Sequence, residues 1–123
     1  MRSRFFLAVL LMLVMSALAA CGATPTETPT EGPAGGGQVD VTMINTSFKP
    51  KEITIQAGTT VVWTNEDPLP HTVTSGTRDN PSGLFDSGTV GQGETFQFTF
   101  EEPGTYEYFC SIHPGMDGTV IVE

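Results

Sequence analysis

Beyond residue 38, stretches recur in which apolar and polar side chains alternate, the period of a β-strand with one buried face. In "EITIQ", Ile53 and Ile55 share a face, and Ala57-Gly58 turns the chain. "TVVWTN" follows, with Val61 and Trp63 opposed to Val62 and Thr64. "ETFQFTF" is the cleanest case: Phe96, Phe98 and Phe100 point one way, Thr95, Gln97 and Thr99 the other. Pro103-Gly104 marks the next turn, after which "TYEYFC" sends Tyr106, Tyr108 and Cys110 to a common side. "GTVIVE" closes the chain, with Val120 and Val122 alternating with Ile121. "VDVTMI" at 39–44, "HTVTS" at 71–75 and a short strand near Phe85 complete a set of seven to eight strands. No segment sustains a helical period. Short strands divided by turn signals predict an all-β domain over residues 39–123, an antiparallel Greek-key β-sandwich. The stretch 76–93, "GTRDNPSGLFDSGTVGQG", is the least regular and carries at most one strand.

Residues 1–20, "MRSRFFLAVLLMLVMSALAA", break this pattern. Arg2 and Arg4, an apolar run from Phe5 to Val14 and a tail of small residues make a secretory signal peptide, the run being too short for a spanning helix. The junction "LAAC" resembles the lipobox of bacterial lipoproteins, which implies that Cys21 is acylated and becomes the mature N-terminus. Residues 22–38, "GATPTETPTEGPAGGGQ", hold no large apolar side chain and cannot bury enough surface to offset chain entropy. Residues 21–38 therefore read as a lipidated N-terminus on a disordered tether. The domain is expected outside the cytoplasm, lipid-anchored to the outer face of the cytoplasmic membrane or in the periplasm. Asn45-Thr46-Ser47 matches a glycosylation sequon, a three-residue match of little weight in such a protein.

Charge narrows the partners. Within 39–123, Lys49, Lys51 and Arg78 stand against twelve carboxylates, a net charge of −9. Nucleic acid, which is bound by clustered Lys and Arg, is excluded as a partner, whereas the charge permits steering toward a basic protein and equally serves solubility. The cysteine count is more informative. If Cys21 carries lipid, Cys110 has no disulfide partner in the chain, and a lone thiol in an oxidising compartment must be occupied or buried.

Cys110 lies in "FCSIHPGMDG", which gathers Cys110, His113 and Met116 with two residues between each pair. Thiolate, imidazole and thioether are soft or borderline donors that favour copper over Mg, Ca or Mn. Zinc would use the Cys and His, but it has little use for a thioether. A Cys with two His and a long axial Met is the blue-copper arrangement, and it needs one more histidine. The chain offers only His71, after "NEDPLP", where Pro68 and Pro70 stiffen the approach. A loop set and a strand-borne donor should meet at one end of the sandwich.

"VVWTNEDPLPHTV" and "GTYEYFCSIHPGM", with "FKPKEITIQAGTTVVW", resemble the cupredoxins, and among them the plastocyanin and amicyanin group. The likeness covers essentially all of 39–123. It implies that His71, Cys110 and His113 are the equatorial ligands of one copper ion and Met116 the axial one. It also implies that Asn65 braces the ligand loop and that Tyr106 or Tyr108 forms a tyrosine corner. Where amicyanin-like loops carry proline two positions after the cysteine, this chain has Ile112. Its N–H is free to approach the Cys110 sulfur, which would stabilise Cu(I).

The function so implied is one-electron shuttling between redox partners by a monomeric, membrane-tethered blue copper protein, not an enzyme. Partners would dock beside an exposed His113, on Leu69, Pro70, Ile112 and Pro114. A copper oxidase or nitrite reductase would need further histidines for a second copper. A copper-trafficking protein using the same ligands without redox cycling stays open, as does a metal-free scaffold.

Overall fold

The computed structural model describes residues 36–123. The signal peptide, Cys21 and the tether up to residue 35 lie outside the described residues. Nine strands follow one another, β1 (Gln38–Met43), β2 (Phe48–Lys49), β3 (Glu52–Ile55), β4 (Thr59–Asn65), β5 (Thr74–Thr77), β6 (Asn80–Asp86), β7 (Thr95–Phe100), β8 (Gly104–Phe109) and β9 (Asp117–Val122). They form two sheets, ordered β2-β1-β4-β7 and β3-β9-β8-β5-β6. The domain is all-β, as the alternation requires. β1 starts at Gln38, one residue before the boundary drawn from composition.

Alternation becomes burial strand by strand. Along β4, buried and half-buried positions alternate without a break, with Val61 and Trp63 inside. Val41 and Met43 flank them on β1 of the same sheet, and Ile53, Ile55, Val120 and Val122 join the core from β3 and β9 of the other. Trp63 sits at the centre, with ring centroids 5.4 Å from Tyr108, 5.7 Å from Phe96, 6.0 Å from Phe85 and 6.4 Å from Phe100. The Trp63–Tyr108 pair is edge-to-face, the arrangement that a ring quadrupole favours. Tyr106 makes the corner contact, its hydroxyl donating to the Glu102 carbonyl at 2.8 Å, four residues upstream.

Two details differ from the sequence reading. β2 is a two-residue strand, too short for any periodicity to show. The sheets are also mixed: β1 runs parallel to β4, and β3 parallel to β9. Alternation reports which face is buried, and it is blind to the direction of the neighbouring strand.

One pairing positions the functional end. β5 runs antiparallel to β8 with Thr74 opposite Phe109. The residues just before Thr74 are thereby laid beside those just after Phe109, and Thr72 meets Cys110 and Ser111.

Candidate metal centre

His71 reaches the site from an isolated bridge with Val90 rather than from a strand, exchanging N–H···O bonds of 3.1 and 2.8 Å. Asn65, at the end of β4 and fully buried, ties down the preceding loop. Its Nδ2 donates to the carbonyls of Leu69 and Val90, both at 2.9 Å, and its Oδ1 accepts the Asp67 N–H at 2.9 Å. Asn65 thus braces the loop that carries His71, not the loop that carries Cys110. Cys110 follows β8 directly, and its N–H donates to the Met116 carbonyl at 2.9 Å, closing the loop from 110 to 116. Gly115 takes φ +80° within that loop, a left-handed conformation that glycine adopts without a Cβ penalty.

These two loops bring three donor atoms together. Cys110 Sγ lies 3.8 Å from His71 Nδ1 and 3.6 Å from His113 Nδ1, and the two nitrogens are 3.1 Å apart. The point equidistant from all three, the circumcentre of that triangle, is about 2.0 Å from each, within bonding range of a first-row metal. His71 and Cys110 are wholly buried and His113 is half-buried. Met116, on the same loop, is buried too. Three electron-rich atoms at these separations repel one another unless a cation or a shared proton lies among them.

The histidine beside the sulfur is held in a ligand-ready form. Asp67 Oδ2 lies 2.8 Å from His71 Nε2. An ionised carboxylate only accepts, so Nε2 carries a proton, and in the neutral ring Nδ1 then keeps its lone pair toward Cys110. Asp67 itself is fixed by the N–H groups of Thr46 and Asn45, each at 2.8 Å. The Thr46 bond most of all, with those from His71 and Asn45, holds its carboxyl below the ordinary carboxylate range despite the opposing effect of burial. Both donors take φ +53°, which turns successive N–H groups toward one anion. Sequence reasoning passed over Asp67. The signal was present, a carboxylate four residues before the histidine, but nothing in the spacing showed that the proline-rich loop would fold it back.

The sulfur has its own donor, and it is not the expected one. Thr72 N–H points at Cys110 Sγ from 3.3 Å, while its hydroxyl accepts the Ser111 N–H at 2.7 Å. Among the described residues no bond joins the Ile112 N–H to that sulfur, and the Ile112 side chain is 46% exposed. The segment before β5 that supplies His71 also supplies the sulfur's donor, because Thr72 is drawn against the loop by Ser111. Leu69 is exposed at 49% on the same end of the molecule.

Residues 36–123 match the family model for copper binding proteins of the plastocyanin/azurin family. The chain is 36% identical over 123 residues to amicyanin-alpha of Methylorubrum extorquens, covering 100% of both proteins. It is 30% identical over 131 residues to an amicyanin of Paracoccus denitrificans, covering 90% of this chain and 92% of that one. A purple cupredoxin from Nitrosopumilus maritimus superposes with a TM-score of 0.64 at 34% identity, over 68% of this chain and 98% of that one. Buried thiol and paired imidazoles suit a soft, one-electron metal and no hard cation. The chain belongs to the plastocyanin/azurin family of copper-binding proteins, and copper is its cofactor.

Proposed function

We propose that the protein is a blue copper electron carrier that exchanges single electrons with redox proteins outside the cytoplasm and performs no catalysis. His71, Cys110 and His113 hold the ion, with Met116 as a weak fourth ligand. The observation that carries this is the triangle of one sulfur and two nitrogens sized for a metal, with the far nitrogen of His71 bonded to the Asp67 carboxylate. Bound copper supplies a couple that changes by one electron, Cu(II)/Cu(I). The chain supplies rigidity. Asn65 and Asp67 fix His71, Thr72 ties the two donor loops together, and the sandwich beneath gives the ligands little room to rearrange. Thr72 N–H toward the sulfur withdraws density from the thiolate and favours the reduced state.

His113, half-exposed and next in the chain to the exposed Ile112, is the port for electrons. A small apolar docking patch fits the brief, low-area encounters of redox proteins. The "LAAC" junction and the Pro/Thr/Gly stretch support a lipid anchor at Cys21 on a tether, which would raise the local concentration of a monomeric shuttle at a membrane. The Cys21→Ser variant should leave the membrane fraction, and its retention there would refute the anchor.

Loading the full chain with Cu(II) and recording its visible spectrum and voltammogram tests the reading. An intense visible band that Cys110→Ser abolishes, with a reversible one-electron wave, supports the carrier. Colourless Cu(I) binding without a reversible wave would support copper trafficking instead.

A further inference from the structure

Arg78 is the domain's single arginine, and it lies in the turn between β5 and β6, remote in sequence from either donor loop. Its guanidinium nevertheless spans the loop after β8. Nη2 donates to the carbonyl of Cys110 at 2.6 Å and to that of His113 at 2.9 Å, and Nη1 to that of Ser111 at 3.2 Å. The same group lies over the Phe109 ring, 5.3 Å from its centroid. One planar cation therefore engages four consecutive or near-consecutive residues, among them two that carry donor atoms.

The hairpin is shaped for this reach. The β5–β6 register shifts between Thr74 and Gly76, a bulge that re-aims a strand. Gly76 takes φ +95°, and a Cβ there would meet the Asn80 carbonyl oxygen at 2.6 Å, so only glycine lets the turn close. Within the loop, the remaining backbone ties run from Cys110 N–H to Met116 and from Met116 N–H to His113, the latter at a long 3.4 Å. Nothing in the electron-carrying reading calls for an arginine here.

We infer that Arg78 is a positioning residue, a cationic clamp that holds the Cys110–His113 loop in its metal-ready shape and biases the site toward Cu(I). This rests on the copper reading above. A guanidinium presents donors in a fixed fork, so three carbonyls on one side chain fix their relative orientation in a way that an ammonium cannot. Its charge is held against the carbonyls of two residues that carry donor atoms, Cys110 and His113, and a nearby positive charge disfavours the more highly charged Cu(II) state.

Two variants of the full chain, Arg78→Met and Arg78→Lys, separate fork from charge. In the copper-free protein, amide hydrogen exchange of Ser111 to Met116 should quicken about tenfold or more in Arg78→Met, the equivalent of losing one charge-assisted bond, with β8 and β9 unchanged. In the copper-loaded protein its preference for Cu(I) over Cu(II) should fall several-fold, read as a lowered reduction potential. Arg78→Lys should recover most of the potential while the loop amides stay fast. Unchanged exchange or an unchanged potential in Arg78→Met overturns the inference, as does slow exchange restored by lysine. A wild-type chain that binds copper without a sulfur-dependent band would sink the copper reading itself, a result distinct from either.

Discussion

Asp67 shows how one side chain sets the state of another. It takes the proton side of His71 Nε2 and leaves Nδ1 free, and it is itself pinned by two backbone N–H groups at 2.8 Å. Replacing it with asparagine offers an amide that can present either a donor or an acceptor to the ring, so the tautomer is no longer fixed. Partners of this kind typically contribute about 10–100-fold in metal affinity. Asp67→Asn should weaken copper binding by that order in competition with a chelator, and an unchanged affinity would remove Asp67 from the account. The four candidate ligands could be proposed from the sequence because Cys, His and Met are scarce in this chain and three of them fall on one short loop. Their supports were not. Thr72 and Arg78 act through backbone and side-chain geometry that spacing does not encode, and Ile112 lost its expected role to Thr72 for that reason.

Strands were legible wherever alternation ran for four residues or more, as in β4 and β7. Their pairing sense was not, since a parallel neighbour buries the same alternate positions. The floor beneath the site illustrates what these elements must satisfy. Tyr108 on β8 is wedged edge-on between Phe48, 4.7 Å away, and Trp63, 5.4 Å away. Its ring also covers Gly118 on β9, where an added Cβ would collide with it. Gly118→Ala should therefore destabilise the copper-free protein by about 1–3 kcal/mol, the usual cost of overpacking, as read by denaturant unfolding. Burial pushes the Tyr108 phenol up to about 12 from 10.0. Because the folded-state value is raised, the unfolded chain ionises first as pH climbs. The contribution of Tyr108 to stability is therefore intact below pH 10 and is lost through the window up to about 12. Tyr108→Phe should show a smaller alkaline loss over that window, and an identical pH profile would contradict the assignment.

At the scale of the whole molecule, a rigid sandwich presents one functional end and a net charge of −9. The short loops there are held from below by β4, β5 and β8 and from the side by the β5–β6 hairpin. Such a body should meet basic partners faster than acidic ones. Raising ionic strength from about 0.01 to 0.15 M shortens the Debye length from roughly 30 to 8 Å. Electron exchange with a basic redox protein should slow by about tenfold or more across that range in stopped-flow measurements, and with an acidic one it should quicken. Salt-independent rates with both would show that the charge serves solubility alone.

All of this depends on one sulfur and two imidazole nitrogens binding a single ion. X-ray absorption at the copper edge of the loaded full chain measures that directly. The nearest shell should hold one sulfur and two nitrogens at about 2 Å, with the sulfur lost in Cys110→Ser. A shell of nitrogen and oxygen alone in the wild-type protein would contradict it.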